Sequence, residues 1–555
     1  MRAWPLIGLI LLVGCDRDRS HRPGERGLGP GKARDPGTVV VGRPSDALGL
    51  DPARVTDNES VELAEQLYDK LLDYDPETRT IVPALATKWQ VSEDGRIWTF
   101  QLRRGVRFHD GTPLTADAVV FSLERQRDVR HPFHLVDGED WKFQYWESTY
   151  QNIEKVEATG PHTVRVTIER RYAPLAANLA MFPVSIVSPA AVERWGVDYG
   201  RRPPEEDTGE GLQQRGAPVG TGPFRFVGWD GPRIILERNP DYWGKKASIK
   251  RLVFVAIPDA RQRLVALESG AIDIAYSILP QEMQFVQLHP ELVLHRTAAN
   301  TVAYLAMNTS KKPFTDIRVR RAINHAINKE PIVKLAFQGL AEPASGPLPP
   351  SQWGHYKPRV RYPYDPDRAR ELIAEALADP SAELGELGKL RLFVPSTPRP
   401  YLPDPRSVAD ILAANLRALG LTIEVVEQPF DRHLHDLRRG EHDLCLHGWV
   451  GDNGDPDNYL YVLFDRNNAT VGFARNVAFF TDPELHGLLV LAQESDNRQE
   501  RERIYERAQE LIASQAPWVP LAHSQVAIAA RRDIEGVTIG PATHVPYERV
   551  RRVSR

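Results

Sequence analysis

Asp443-Leu444-Cys445-Leu446-His447-Gly448-Trp449-Val450-Gly451-Asp452-Asn453-Gly454-Asp455-Pro456-Asp457-Asn458-Tyr459-Leu460 is a short apolar strand running into a Gly/Asn-rich turn with three carboxylates. It completes an alternation that begins some fifty residues earlier. Period and punctuation predict a strand over 390–394, a helix over 408–419 stopped by Gly420, and a strand over 421–427. A helix over 430–438 stopped by Gly440 and the strand over 443–447 follow. Such a βαβαβ run implies parallel strands joined by right-handed crossovers, hence an α/β fold. Upstream, Val319, Ala322, Ile323, Ala326 and Ile327 fall on one face of a helix capped by Asp316. Asp365-Pro366 opens another helix, striped by Ala369, Leu372, Ile373, Ala376 and Leu377.

The parallel sheet also places chemistry. Open α/β sheets bind ligands outside the carboxyl ends of their strands. Asp452 lies in the loop leaving the 443–447 strand, and Arg399 in the loop leaving the 390–394 strand, so both emerge at one edge. Asp455 before Pro456 reads as a helix N-cap, and Asp457 falls in the positive first turn, which leaves Asp452 without local work. Ordinary Asx-turn chemistry is the plain alternative for Asp452. The oxygen ladder of an EF-hand is absent. An Arg guanidinium suits a carboxylate and an Asp suits an ammonium, so the pair fits a ligand with both ends charged.

Composition bounds the rest. The 555 residues hold two or three domains, and a net charge of −4 gives no reason to expect nucleic acid or an anionic surface as partner. Arg2 and the short apolar stretch 3–13 form a signal-like start too brief to span a bilayer. Leu12-Val13-Gly14-Cys15 resembles a bacterial lipobox, with Cys15 as the lipidated residue. The Gly/Pro-rich, charged run 16–37 reads as a disordered tether. Asp16 after that Cys resembles the signal retaining such lipoproteins at the inner membrane. With Cys15 lipidated, Cys445 has no disulfide partner and reads as an inert core thiol. Gly216 to Gly222 lacks the Gly-Lys-Ser/Thr ending of a phosphate loop. His433, His435, His442 and His447 suggest a metal cluster on paper, but two histidines two apart on a helix cannot face one ion together, so no metal is expected.

Nearer the N-terminus, Leu63, Leu67 and Leu71 stripe a helix over 59–72. Trp98, Phe100 and Leu102 alternate on a strand, a turn at Arg104-Gly105 leads to a second strand with Val106 and Phe108, and Thr115 caps a helix through Phe121 and Leu123.

Several stretches, in order, resemble the dipeptide-binding branch of family 5 of the bacterial ABC-transporter solute-binding proteins. They are the block from Asp94-Gly95-Arg96 through Arg107-Phe108-His109-Asp110-Gly111 to Val119; Gly220-Thr221-Gly222-Pro223-Phe224 with Asn239-Pro240-Asp241-Tyr242-Trp243; Ile257-Pro258-Asp259-Ala260; and Ala306-Met307-Asn308-Thr309 with Asp316-Ile317-Arg318. The Asp452 loop completes the series, and the resemblance runs from about residue 38 to about 530. It implies a periplasmic-binding-protein-like fold (type II, cluster C) with two α/β lobes, a hinge and an inserted domain. The expected division is lobe I from 38–76, 205–297 and 520–550, an inserted domain at 77–204, and lobe II at 298–519. By the resemblance Asp452 receives the peptide ammonium and Arg399 its carboxylate. Tyr401, Trp449, Val450 and Gly451 complete the expected ligand-binding set.

The implied protein is a monomeric periplasmic lipoprotein, anchored to the inner membrane, that delivers short peptides to ABC permease subunits. No cofactor or catalysis is expected. Haem, glutathione or a chelated metal are the alternatives within the family. Outside it stand a secreted hydrolase, for which neither a nucleophile elbow nor a His-Glu-x-x-His motif is found, and a sensing or adhesion lipoprotein.

Overall fold

The computed structural model describes residues 35–75, 78, 80–134, 149–203, 214–382, 384, 388–540 and 544–553. The signal segment, Cys15 and the tether as far as residue 34 lie outside these. Residues 35–37, expected in the tether, belong to the fold: Lys250 N–H donates to the Gly37 carbonyl (2.7 Å) and Thr38 N–H to that of Asp35 (2.8 Å).

The predicted βαβαβ run forms as Lys389–Pro395, Pro405–Arg417, Thr422–Gln428, Phe430–Arg438 and Leu444–Val450. The first strand pairs parallel with both others, in the register Leu392 to Val425 on one side and Leu392 to Leu444 on the other. The helix expected from 408 starts earlier. Asp404 accepts from Ser407 N–H (3.0 Å), and Pro405 takes the first helical position. Thr301–Met307 lies antiparallel to Leu444–Val450, and all seven of its residues are buried. Alternate side chains enter opposite cores: Ala303, Leu305 and Met307 one, Val302, Tyr304 and Ala306 the other. Full burial of each large aliphatic chain contributes roughly 1.5–3 kcal/mol.

Val319, Ala322, Ile323, Ala326 and Ile327 are all in the core, and Asp316 caps the Ile317–Ala326 helix. Ala369, Leu372, Ile373 and Ala376 are buried too. Leu377, expected on the same stripe, is exposed at the end of its helix.

The strand Trp518–Arg531 carries the sheet onward. Residues 518–522 pair with Thr301–Met307, whereas 525–531 pair with Leu292–Ala298 and Ile274–Ala275. Thr38–Arg43 and Arg251–Ala256 continue in parallel pairing, followed by Arg233–Arg238 and Phe224–Asp230. Among the described residues this makes one twelve-stranded mixed sheet. The C-terminal residues Ile534, Val537, Val545, Tyr547 and Val550 share a core with Val39, Val41, Leu252 and Phe254. A separate four-stranded sheet, including Ile97–Leu102, Ile153–Gly160 and Thr163–Ile168, packs its own core with the Ala116–Arg127 helix.

Two local expectations fail here for physical reasons. The helix expected over 59–72 is Asn58–Leu67, because the Leu67 carbonyl turns out to accept Gly222 N–H (3.0 Å) and the chain leaves in an extended conformation at Tyr68. A Cβ on Gly222 would meet Leu67 C at 2.5 Å, so this approach requires glycine. Val106 and Phe108 are buried, but among the described residues they form no strand, and the ladder contact there is a bridge between Arg107 and Pro113.

Candidate ligand-binding site

Leu444–Val450 delivers the 451–458 loop to a cleft. Gly451 N–H donates to the Asn300 carbonyl (2.7 Å), which also accepts from the Tyr459 hydroxyl (2.7 Å). Any Cβ at Gly451 would meet that hydroxyl at 2.2 Å. Asn458 closes the loop on itself. Its Oδ1 accepts from Trp449 Nε1 (2.9 Å) and Asp452 N–H (3.1 Å), and its amide reaches the Asp452 carboxylate at 3.5 Å.

Asp455 and Asp457 do more than local work. Asp455 accepts from Asp457 N–H (3.0 Å) but is also gripped by both Arg501 Nη atoms at 2.6 and 2.8 Å, in a buried pair. Asp457 accepts from the Tyr172 hydroxyl (3.0 Å) and Gln493 Nε2 (2.9 Å). Asn453 donates to Asn178 Oδ1 (2.6 Å), and Ala173 N–H to the Gln493 carbonyl (2.7 Å). The loop is thereby docked against the 172–178 segment across the cleft.

Asp452 is half-buried, and among the described residues no cation lies within ion-pair distance of it. Burial lifts its pKa to about 6, against the hydrogen bond from Asn458 and the pull of Arg475. The cavity it lines, about 150 Å³, is also bounded by Asn300, Tyr74 and Met181. Its other carboxylates are Glu65, Asp69, Asp73 and Glu548, against the fixed cations Lys70 and Arg549. Lys70 is already bonded to Glu65 (2.6 Å) and Asp73 (3.1 Å). The balance is anionic, so the cavity favours a cationic group.

Asp69 was not singled out from sequence, yet its signal was present. Thr221 (2.7 Å), Tyr242 (3.1 Å) and Trp243 (2.8 Å) all donate to its carboxylate, and these residues stand in two of the motifs quoted above. Those motifs, 152 to 174 positions along the chain from Asp69, converge to hold one buried acid of the cavity wall.

Arg399 stands at the same sheet edge as Asp452. Its guanidinium lies 3.7 Å from the Phe430 ring centre, Nε has no acceptor, and it forms no ion pair with Asp452 or any other described carboxylate. It lines neither cleft cavity. Its neighbour Pro400 and Val450 line a second one, about 470 Å³, which shares Val61 and His544 with the first. Tyr401 is packed in the core, with its ring against His447 and under Gly448, where any Cβ would meet it at 2.2 Å. Burial raises its pKa to about 12. Trp449 is half-buried against the opposite core and lines neither cavity. Of the expected set, Asp452 and Gly451 line the first cavity, Val450 the second.

His433 and His447 pack ring to ring at 5.4 Å, with Phe430 and Tyr401 around them. Burial pushes the pKa of His433 to about 4 and that of His442 to about 3. Burial likewise drives the Cys445 thiol far above its usual range.

A pH dependence follows from Asp452. A ligand ammonium pairs with the carboxylate only when it is ionised, so affinity should be flat above pH 6 and fall about tenfold per unit below it. Calorimetric titrations from pH 7.5 to 5 check this; an affinity unchanged down to pH 5 would count against Asp452 as the ammonium acceptor. Stability runs the other way. Asp452 and Asp457, whose pKa burial and Asp455 raise to about 7, bind protons more readily folded than unfolded between about pH 4 and 7. Their contribution to stability is therefore lost as pH rises through that window.

Residues 80–470 match the family described as bacterial extracellular solute-binding proteins, family 5. The chain is 32% identical to heme-binding protein A of Haemophilus influenzae, covering 93% of this chain and 92% of that protein. It is 32% identical to di/tripeptide-binding protein 2 of Pseudomonas aeruginosa, over 93% and 95% of the two chains. Among solved structures, the ABC transporter-associated periplasmic binding protein of Helicobacter pylori in complex with the peptide STSA superposes with a TM-score of 0.75 at 32% identity, covering 93% of this chain and 98% of that one.

Proposed function

Since the chain belongs to family 5 of the bacterial extracellular solute-binding proteins, we propose that it is the extracytoplasmic component of an ABC importer and captures short peptides, of dipeptide length, by their charged termini. The observation that carries this reading is Asp452: a half-buried carboxylate with no ion pair among the described residues, in an anionic cavity at the carboxyl end of a parallel strand. It accepts the peptide ammonium. Arg399, at the same edge and without an ion pair among the described residues, receives the terminal carboxylate.

Extended residues span about 3.3–3.6 Å, so dipeptide termini lie about 6 Å apart. With a hydrogen bond at each end, the two protein groups stand roughly 10–14 Å apart in the loaded protein. Each charge-assisted bond contributes roughly 1.5–3 kcal/mol where water is excluded. Together with backbone contacts they reach the about −8 kcal/mol of a micromolar ligand. Both contacts read termini, which sets ligand length and leaves sequence open.

The protein acts by closure, without catalysis. Lobe I is built from 38–76, 205–297 and 520–550, lobe II from 298–519, and 77–204 is inserted. The contacts of Asn453 and Asp457 with Asn178 and Tyr172 are those that opening breaks. The permease reads the closed form. The chain is monomeric and anchored to the inner membrane through Cys15, so Cys15→Ser should move it from the membrane to the soluble fraction. Unchanged retention on fractionation would remove the anchor.

Haem is the second reading, because a relative of equal identity is named for it. The carboxylates of the Asp452 cavity run against haem's own two. Mass spectrometry of whatever co-purifies with the unloaded protein decides: short peptides support the first reading, whereas haem alone overturns it.

A further inference from the structure

A cavity of about 510 Å³ lies where the Ile317–Ala326 helix ends and the Trp518–Arg531 strand begins. It shares no lining residue with either cleft cavity. Its volume falls within the roughly 300–1,000 Å³ of small-molecule sites. The walls are mainly apolar, with Ile327, Pro347, Tyr362 and Ile512 among them.

Two polar groups on these walls are incompletely served. Lys329 Nζ donates to the Ala344 carbonyl (2.8 Å), and two of its three N–H donors have no partner among the described residues. Burial alone lowers its pKa, to about 8; no carboxylate acts on it, although Glu330 lines the same cavity. Trp518 is 2% exposed and stacked on Tyr304 at 3.4 Å, and its indole N–H has no acceptor among the described residues. Asn324 offers no relief, because its amide is spent on the Arg320 and Trp518 carbonyls (3.1 and 3.0 Å). The other cation of the wall, Arg361, reaches only the Pro358 carbonyl (3.4 Å) among the described residues.

Lys329 is half-buried, and an ammonium held against apolar walls without a counterion is unfavourable, whereas a methionine would fill the same space without that cost. The missing partner is an acceptor with negative charge, on a body that suits apolar walls. We propose that this cavity is a second binding site, separate from the peptide cleft, for a small amphipathic carboxylate whose head pairs with Lys329 and whose apolar body lies against Ile327, Tyr362 and Ile512.

Calorimetry on the whole protein tests this with 4-phenylbutyrate, octanoate and indole-3-acetate, each beside its uncharged amide. At least one acid should bind, at least about tenfold tighter than its amide. Lys329→Met should erase that difference. Gly346→Phe should abolish binding by filling the cavity, since a Cβ there meets only Tyr356 O at 3.7 Å and Pro358 Cδ at 3.8 Å. Dipeptide affinity should be unchanged in both variants, which shows them folded. Carboxylate binding should persist in Asp452→Ala, so the two sites fail or stand separately. The proposal is overturned if no acid binds up to about 1 mM, if acid and amide bind equally, or if Lys329→Met or Gly346→Phe binds the acid as the parent does.

Discussion

Replacing Asp452 with Ala should weaken binding of a free dipeptide by about 10²–10³-fold while leaving the fold intact. The substitution strands the ligand ammonium in a partly desolvated cavity, and removing one partner of a buried charged pair costs about 3–5 kcal/mol. None of the loop's other contacts depends on that carboxylate except the long one from Asn458 at 3.5 Å. Its backbone N–H still reaches Asn458 Oδ1. The unloaded variant should therefore unfold at the same urea concentration as the parent, or slightly higher, because a carboxyl whose pKa burial has raised is lost. N-acetylation of the dipeptide removes the same interaction from the ligand side and should weaken binding to the parent comparably. Acetylation should cost the Asp452→Ala protein little, since the partner is already gone. Equal affinity of the parent for free and acetylated dipeptides would sink the terminal clamp and move haem to first place.

Arg501→Met should destabilise the protein by about 3–5 kcal/mol. Asp455 and Arg501 are 4% and 6% exposed, so neither is solvated enough to tolerate losing the other. Arg501 also donates to the Tyr505 hydroxyl (2.9 Å) and lies over the Trp353 ring. Its removal leaves Asp455 uncompensated beside Asp457, whose own ionisation burial and Asp455 already oppose. The two acids hold the second half of the 451–458 loop, so dipeptide affinity should fall along with stability. Adding Asp455→Leu to Arg501→Met removes the orphan charge and should recover more than half of the loss. Urea denaturation of both variants measures it, and a loss below about 1 kcal/mol for Arg501→Met would mean that water or another group solvates Asp455.

How much was legible differs by element. The strands and helices from 316 to 460 were readable because each is punctuated by its own chemistry: Asp316, Asp365 and Gly420 mark ends, and apolar period marks faces. Parallel pairing then followed from connectivity alone, and with it the placement of Asp452 and Arg399 at one edge. The errors fall where a distant segment supplied the deciding bond. The helix after Asn58 ends at Leu67 because Gly222, more than 150 positions on, takes its carbonyl. Tyr401, expected at the ligand, is in the core because Gly448 on the neighbouring strand leaves room for its ring.

The sequence by itself determined the fold class, the parallel core of the second half and the loop that carries Asp452, since periodicity, caps and connection length are local properties. Only the tertiary structure decided which carboxylates are spent and which are free. Asp455 goes to Arg501, Asp457 to Tyr172 and Gln493, and Asp69 to Thr221, Tyr242 and Trp243, whereas Asp452 has no ion pair among the described residues. Whether a charge is available for a ligand depends on what long-range packing brings within hydrogen-bond reach, and no spacing along the chain encodes that distance.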